Sequence, residues 1–302
     1  MKKQILIIKT GATGDVVRTS VLLHAFSNDE VTWITAKKNI CVLPENFFAL
    51  RRIIAIEDVA KSSFLAEQHF DIVLSLDDER KCAELASAIS STKLIGVYID
   101  KTSQKISYTK DSASWFDLSL ISSYPKALAD KMKYTAKESV QSYLYKMIGK
   151  TFAGEEYMIP EDIIPNTDPK LIGIEARAGE RWKSKRWNGY EKLAEKLKQE
   201  GYKIRFFEER ALMKDFMKDI AACSLIITGD TLTMHFALAL KIKVVALFTC
   251  TSPDEIYDYG RMIKVVSPFL WDAFYKTEYV AHAVESITQK MVWNAIEQCK
   301  QL

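Results

Sequence analysis

The sequence predicts an α/β protein built of two doubly wound, Rossmann-like domains. Three observations carry this reading. Strand-like apolar runs alternate with helix-period segments along the chain, the alternation stops and restarts around a proline-rich stretch, and each half opens with a glycine-bearing turn after its first strand. At 302 residues the chain is also long enough for about two domains.

In the first half, residues 5–8 form a short buried strand, followed by the turn Thr10-Gly11-Ala12-Thr13-Gly14. A helix is expected over residues 15–26, where Val16, Val17, Val21, Leu22, Leu23 and Phe26 are apolar. Strands follow at 31–35, 53–56, 72–76 and 94–98, with helices at 62–68 and 81–90, which reads as a parallel sheet covered on both faces. An aromatic-rich helical region runs from 112 to about 149. Pro160, Pro165 and Pro169 then crowd one short stretch and cannot sit inside regular elements. The domains are accordingly placed at 1–158 and 171–302, with a linker at 159–170 and a cleft between the two.

The second half repeats the pattern. Strands are expected at 171–175, 203–207, 225–228 and 244–248. Helices are expected at 189–200, which Gly201 stops, and at 211–222 and 231–240. A last long helix covers 284–300 and is expected to pack back toward the first domain.

Composition excludes several classes. Lys and Arg number 42 against 39 Asp and Glu, a net charge of +3, without the strong basic surplus of a nucleic-acid binder. The five cysteines are scattered, odd in number and never in a C-x-x-C pair, which fits a reducing cytoplasm and no cysteine metal site. The N-terminal apolar run is too short for a signal peptide, and no stretch reaches the ~18 apolar residues of a membrane helix.

The first glycine turn resembles the start of a dinucleotide fingerprint, but Val17 stands where the third glycine belongs. The second strand is followed by Lys37 and Lys38 rather than a ribose-binding acid, and no Tyr-x-x-x-Lys pair occurs, so a nicotinamide cofactor is disfavoured. A P-loop is excluded because no Gly-Lys-Ser/Thr closes the turn. What remains is Asp15, an acid at a strand-to-helix turn. It reads either as a helix cap or as a general base.

The segment from Glu175 to Trp187 places Arg177, Arg181, Lys183, Lys185 and Arg186 in one strand-to-helix loop. Such loops line ligand crevices, so the basic residues are either a solvated face or an anion site. Next, Thr228-Gly229-Asp230-Thr231 joins a strand to a helix whose free N–H groups suit phosphate. Asp230 or Thr231 is the expected cap, and His235 lies four residues after Thr231 on the same face, as a core histidine or a pocket residue.

Together these motifs resemble the heptosyltransferases, glycosyltransferase family nine, of GT-B fold. The resemblance rests on Gly11-Ala12-Thr13-Gly14-Asp15-Val16-Val17-Arg18-Thr19, on Gly179 through Lys185-Arg186-Trp187, on Gly229-Asp230-Thr231-Leu232-Thr233-Met234-His235, and on the run through Thr251-Ser252-Pro253. It implies a metal-independent, inverting transfer of heptose from ADP-heptose to a lipopolysaccharide-core glycan or a protein hydroxyl. It implies that Asp15 is the general base and that Lys185 and Thr231 stabilise the diphosphate. Asp230 would orient the donor sugar and His235 would support that pocket. Glu208, with Glu209 competing, would contact the ribose. Arg177 would join the donor site, and Thr13 and Arg18 the acceptor site. The chain departs from the family pattern at Leu232 and Thr249, where glycine is usual, and at Lys243, where proline is usual. Leu232 motivates an alternative, a catalytically degenerate nucleotide- or glycan-binding module. A cytoplasmic bacterial enzyme is implied, with peripheral contact to the inner membrane and no nucleic-acid partner.

Overall fold

A computed structural model describes residues 2–302. The chain divides into two compact units, Met1–Glu161 and Asp162–Leu302.

The first unit is a six-stranded sheet. Its strands are β1 (Gln4–Ile8), β2 (Glu30–Thr35), β3 (Leu50–Ala55), β4 (Phe70–Ser75), β5 (Ser91–Ile99) and β6 (Ile106–Tyr108), in the order β3-β2-β1-β4-β5-β6. Strand β1 is central because Ile5 to Ile8 are apolar on both faces, and all four are fully buried. Leu6 and Ile8 join Ile34, Phe70 and Val73 on one face, under Leu65, Cys82 and Ala86 of the helices Ser63–Glu67 and Arg80–Ala88. Alternation sends Ile5, Ile7 and Trp33 to the other face.

Two features of this sheet were not legible in the sequence. Strand β6 runs antiparallel to β5, so the sheet is not purely parallel. Its three half-buried residues carry no apolar run. The expected helix over 15–26 is two short helices, Thr13–Thr19 and Leu22–Ala25. The break lies where side chains compete for the helix carbonyls: Thr19 Oγ1 donates to Asp15 O, Ser20 Oγ to Val17 O, and Tyr145 Oη to Val21 O at 2.9 Å.

The second unit is a five-stranded, wholly parallel sheet. Its strands are β7 (Asp168–Glu175), β8 (Lys203–Phe206), β9 (Cys223–Gly229), β10 (Lys243–Phe248) and β11 (Met262–Val266), in the order β11-β10-β9-β7-β8. Strand β7 begins inside the stretch expected as linker: Asp168 already pairs with Cys223, with a register irregularity before Ile172 that accommodates Pro169. Strand β11 was not expected. The last helix also differs, because Ala281–Glu285 and Gln289–Gln301 are separate. Thr288 caps the second of these by accepting from Met291 N, and the Ile287 carbonyl turns away to accept Trp187 Nε1 at 2.8 Å. Val292, Ala295, Ile296 and Cys299 of that helix pack with Val245, Leu247 and Val265 of β10 and β11.

In each sheet the winding direction reverses once, between β1 and β4 in the first unit and between β7 and β9 in the second. Open α/β sheets bind ligands outside the carboxyl ends of strands at such points. Among the described residues, no helix is long and apolar enough to cross a membrane.

Gly96 in β5 has φ +108°, and a Cβ there would lie 1.9 Å from Ser75 O, whereas Gly149 has φ +71° with open space around it. Gly96→Ala is expected to lose about 3 kcal/mol or more of stability, and Gly149→Ala about 1 kcal/mol. Urea unfolding of both variants checks this; equal losses would mean that the close approach of Gly96 to β4 carries no weight.

Candidate functional site

At the first switch point the turn Thr10–Gly14 leaves β1 beside the end of β4. Asp77, two residues past β4 and 5% exposed, is the anchor. Its Oδ2 accepts from Thr10 N, from Thr10 Oγ1 at 2.9 Å and from Gly11 N at 3.0 Å, while Oδ1 pairs with Lys9 Nζ. A Cβ on Gly11 would sit 2.9 Å from Asp77 Oδ1 and 3.1 Å from Lys9 Nζ, so the turn needs glycine there. Burial by itself would raise the Asp77 carboxyl, but the Lys9 ammonium and the Thr10 donors outweigh it and hold it below the usual carboxylate range.

The other side of the turn is tied by Asn39. Its Nδ2 donates to Thr10 O and Gly11 O, both at 3.1 Å, and its Oδ1 accepts Thr13 Oγ1 at 2.7 Å. Ala12, not Asp15, occupies the cap position of Thr13–Thr19. Asp15 lies in the first turn, where its carboxylate suits the helix dipole and pairs with Arg18 at 2.9 Å. The structure thus gathers Thr13, Asp15 and Arg18 around one turn. Beside it opens a cavity of about 800 Å³ at the carboxyl ends of β1 to β4, lined by Thr10, Gly11, Lys37, Lys38, Glu57, Glu79 and Lys81 among others.

At the second switch point the loop after β7 folds over the turn after β9. Of its five basic residues, Lys185 is the one turned inward. Lys185 Nζ donates to Asp230 O at 2.6 Å and to Asp230 Oδ2 at 2.8 Å, with the side chains 14% and 16% exposed. Burial would raise the Asp230 carboxyl; Lys185 and His235 together reverse this and hold it well below the usual range. A Cβ on Gly229 would come within 3.1 Å of Lys185 O, so the loop lies close on that turn. Thr249, at a position where glycine was expected, donates to Ser184 O at 2.5 Å, and buried Ser184 also ties the loop to Glu278 and Val280.

Thr231 stands at the cap position of the helix Leu232–Ala239, but its Oγ1 pairs with Thr228 Oγ1 at 2.9 Å and makes no cap bond. Neither Asp230 nor Thr231 therefore caps with its side chain as expected, because Lys185 and Thr228 hold those oxygens. His235 is buried in the same helix. Arg177 grips buried Glu175 through Nε and a terminal nitrogen at 2.9 and 2.8 Å, and Glu175 also accepts Thr233 Oγ1 at 3.1 Å. The hydrogen bonds that Arg177 donates to Glu175 raise its pKa, helped by the charges of Glu175 and of exposed Glu208 and Glu209. Lys185, Asp230, Thr231 and His235 thus form one cluster at the switch point, and Arg177 and Glu208 a second at the ends of β7 and β8.

Asp77, Asn39 and Glu175 were not singled out by sequence reasoning. Asp77 and Glu175 share one available signal, an acid at the carboxyl end of a strand at the switch point. Asn39 offers none. Among the described residues no group of His, Cys, Asp and Glu is arranged to hold a metal ion.

Comparison with known proteins places these features in context. Residues 62–212 and 209–277 match glycosyltransferase family 9 (heptosyltransferase). Lipopolysaccharide heptosyltransferase 2 of Salmonella typhimurium is 27% identical over 166 residues, 44% of this chain; the match spans about half, 47%, of that protein's length. A family 9 glycosyltransferase from Veillonella parvula aligns over 98% of this chain and 97% of its own, with a TM-score of 0.65 and 18% identity. Escherichia coli heptosyltransferase WaaC, solved with ADP-2-deoxy-2-fluoro heptose, aligns over 98% and 99%, with a TM-score of 0.57 and 14% identity. These structures share the fold of this chain, two Rossmann-like units of GT-B type.

The folded pKa of Asp230 lies below its unfolded value, so the pair stabilises the protein above about pH 4 and loses that contribution as pH falls toward the depressed value. Lys185→Met leaves a buried carboxylate without its main counter-charge and is expected to cost about 3–5 kcal/mol at pH 7.5. The Asp230 carboxyl would then titrate high, so the variant's deficit should shrink at pH 5. Urea unfolding at both pH values reads this; a deficit independent of pH would contradict it.

Proposed function

Because the chain belongs to glycosyltransferase family 9, we propose that it is a metal-independent, inverting glycosyltransferase that transfers heptose from ADP-heptose to a hydroxyl of a lipopolysaccharide-core glycan or a protein. The observation that carries this reading is the largely buried Lys185–Asp230 pair at the start of the helix Leu232–Ala239. It sets an ammonium and free helix N–H groups at one switch point, where a diphosphate is accommodated.

In this reading Asp15 takes the proton of the acceptor hydroxyl as its oxygen attacks the anomeric carbon. The bond from that carbon to the diphosphate oxygen breaks on the opposite side. Lys185 and the helix N–H groups stabilise the charge that develops on the departing ADP, a role that fixed donors fill without a metal. Asp230, already ionised, orients sugar hydroxyls, with Thr231 and His235 beside it. Arg177 and Glu208 hold the nucleoside end. Thr13 and Arg18 flank Asp15 on the acceptor side, where Lys37, Lys38 and Lys81 of the adjoining cavity suit an acidic glycan. The setting is the bacterial cytoplasm with peripheral contact to the inner membrane.

Leu232 favours a second reading, a module that binds nucleotide or glycan without turnover, since it adds a side chain at the first residue of the phosphate-facing helix.

A mass-spectrometric screen of nucleotide sugars against the purified protein distinguishes the two readings. Loss of ADP-heptose with release of ADP, unaffected by chelator, is expected; binding without loss of any nucleotide sugar would favour the module. Asp15→Asn should lower turnover about 100- to 10,000-fold while ADP binding survives, and wild-type turnover would refute the base. Lys185→Ala should weaken ADP about tenfold or more by calorimetry; unchanged affinity would count against its role.

A further inference from the structure

Lys9 is a largely buried cation that contacts Asp77 and lies against Gly11, in the turn that leads into the helix of the proposed base, Asp15. Its side chain is 12% exposed. Burial alone would push its ammonium below the ordinary lysine range, yet Asp77 first and Asp15 second reverse this and leave it above. Both carboxylates act on Lys9 through charge, and the fold makes the contact with Asp77.

That contact has a visible cause. Asp77 is fixed by groups other than Lys9, since Thr10 N, Thr10 Oγ1 and Gly11 N all converge on its Oδ2 and leave Oδ1 facing Lys9. Gly11 makes that convergence possible by leaving room for both groups. Asp15 is meanwhile held by Arg18 on its own helix. A second cation on Asp15 would stabilise its ionised form further and reduce its ability to accept a proton.

We propose that Asp77 is a positioning residue that holds the Lys9 ammonium off Asp15 and so keeps the Asp15 carboxylate basic enough to act. This rests on the reading of Asp15 as base, but the arrangement of charge is testable apart from it. The charged groups around that turn include Arg18, paired with Asp15 on its own helix, Lys9 and Asp77 at the ends of β1 and β4, and Lys37 and Lys38 of the segment Lys37–Val42, which line the adjoining cavity. The packed helix Val140–Met147 carries Lys146, which is paired with Glu138. Glu57, Glu79 and Lys81 line the neighbouring cavity. All but Lys9 and Asp77 stay constant in the test.

The test is a ¹³C-carboxyl NMR titration of Asp15, its signal assigned by its loss in Asp15→Asn. In Asp77→Asn the Asp15 midpoint should fall by about half a pH unit or more, because an anion is lost and Lys9 is released toward it. In Lys9→Met/Asp77→Asn, where the neutral pair is removed whole, the midpoint should return to within about 0.3 units of wild type. An unmoved midpoint in folded Asp77→Asn overturns the proposal, as does a double variant that stays shifted. Should Asp77→Asn fail to fold, Lys9→Met alone decides: Asp15 should then titrate higher, and an unchanged midpoint overturns the proposal. Midpoints that move as described support the arrangement even if Asp15→Asn retains turnover, a result that would remove only the base assignment.

Discussion

Each unit largely buries a lysine ammonium at the switch point of its sheet, and each site is organised by the need to neutralise it. An ammonium left alone in that environment would cost several kcal/mol or would lose its proton. Lys9 is met by Asp77 and Lys185 by Asp230. In both cases the carboxylate comes from a neighbouring strand end or turn, so the ion pair pins two loops that the sequence separates by 68 and 45 positions. The pairs are well bonded, which is the condition under which buried ions are tolerated. Their value here lies in fixing backbone positions before any ligand arrives.

The two pairs have different consequences. Around Asp77 all donors point inward, so the carboxylate is saturated and acts on the turn rather than on a ligand. Around Asp230 the lysine itself faces the start of a helix with free N–H groups, so an incoming anion can share it. In the proposed function the first turn presents Asp15, and the second receives the negative charge of the diphosphate. Glu175 extends the second arrangement by linking Thr233 of that helix to Arg177 at the end of β7.

Much of this was legible in the sequence where local pattern and tertiary role agree. Strands β1 and β7, the glycine turns and the helix at Leu232–Ala239 all follow from apolar runs broken by Gly and Thr. The failures have local physical causes. The helix expected from Asp15 to Phe26 breaks because the hydroxyls of Thr19, Ser20 and Tyr145 take its carbonyls, and one of these comes from a distant segment. The last helix breaks because Ile287 turns to Trp187. Strand β6, three residues long, is too short to show a period. Asp15, Lys185 and Asp230 stood out by motif, whereas Asp77 and Asn39 act through bonds across 66 and 28 positions; a strand-end acid marks the place of Asp77, but no local pattern marks Asn39 or the partners of either. Thr249 departs from the family's usual glycine, and its hydroxyl is used to clamp the loop that carries Lys185.

In the proposed function one base acts on the acceptor and the departing diphosphate is stabilised on the opposite side, which leaves a single displacement at the anomeric carbon. The most direct test is NMR of the sugar's anomeric configuration in the donor and in the transfer product. Inversion is expected; retention would require either a nucleophile on the protein and a second displacement, or attack from the leaving group's own face, and either would contradict Asp15 as a base acting in line on the acceptor.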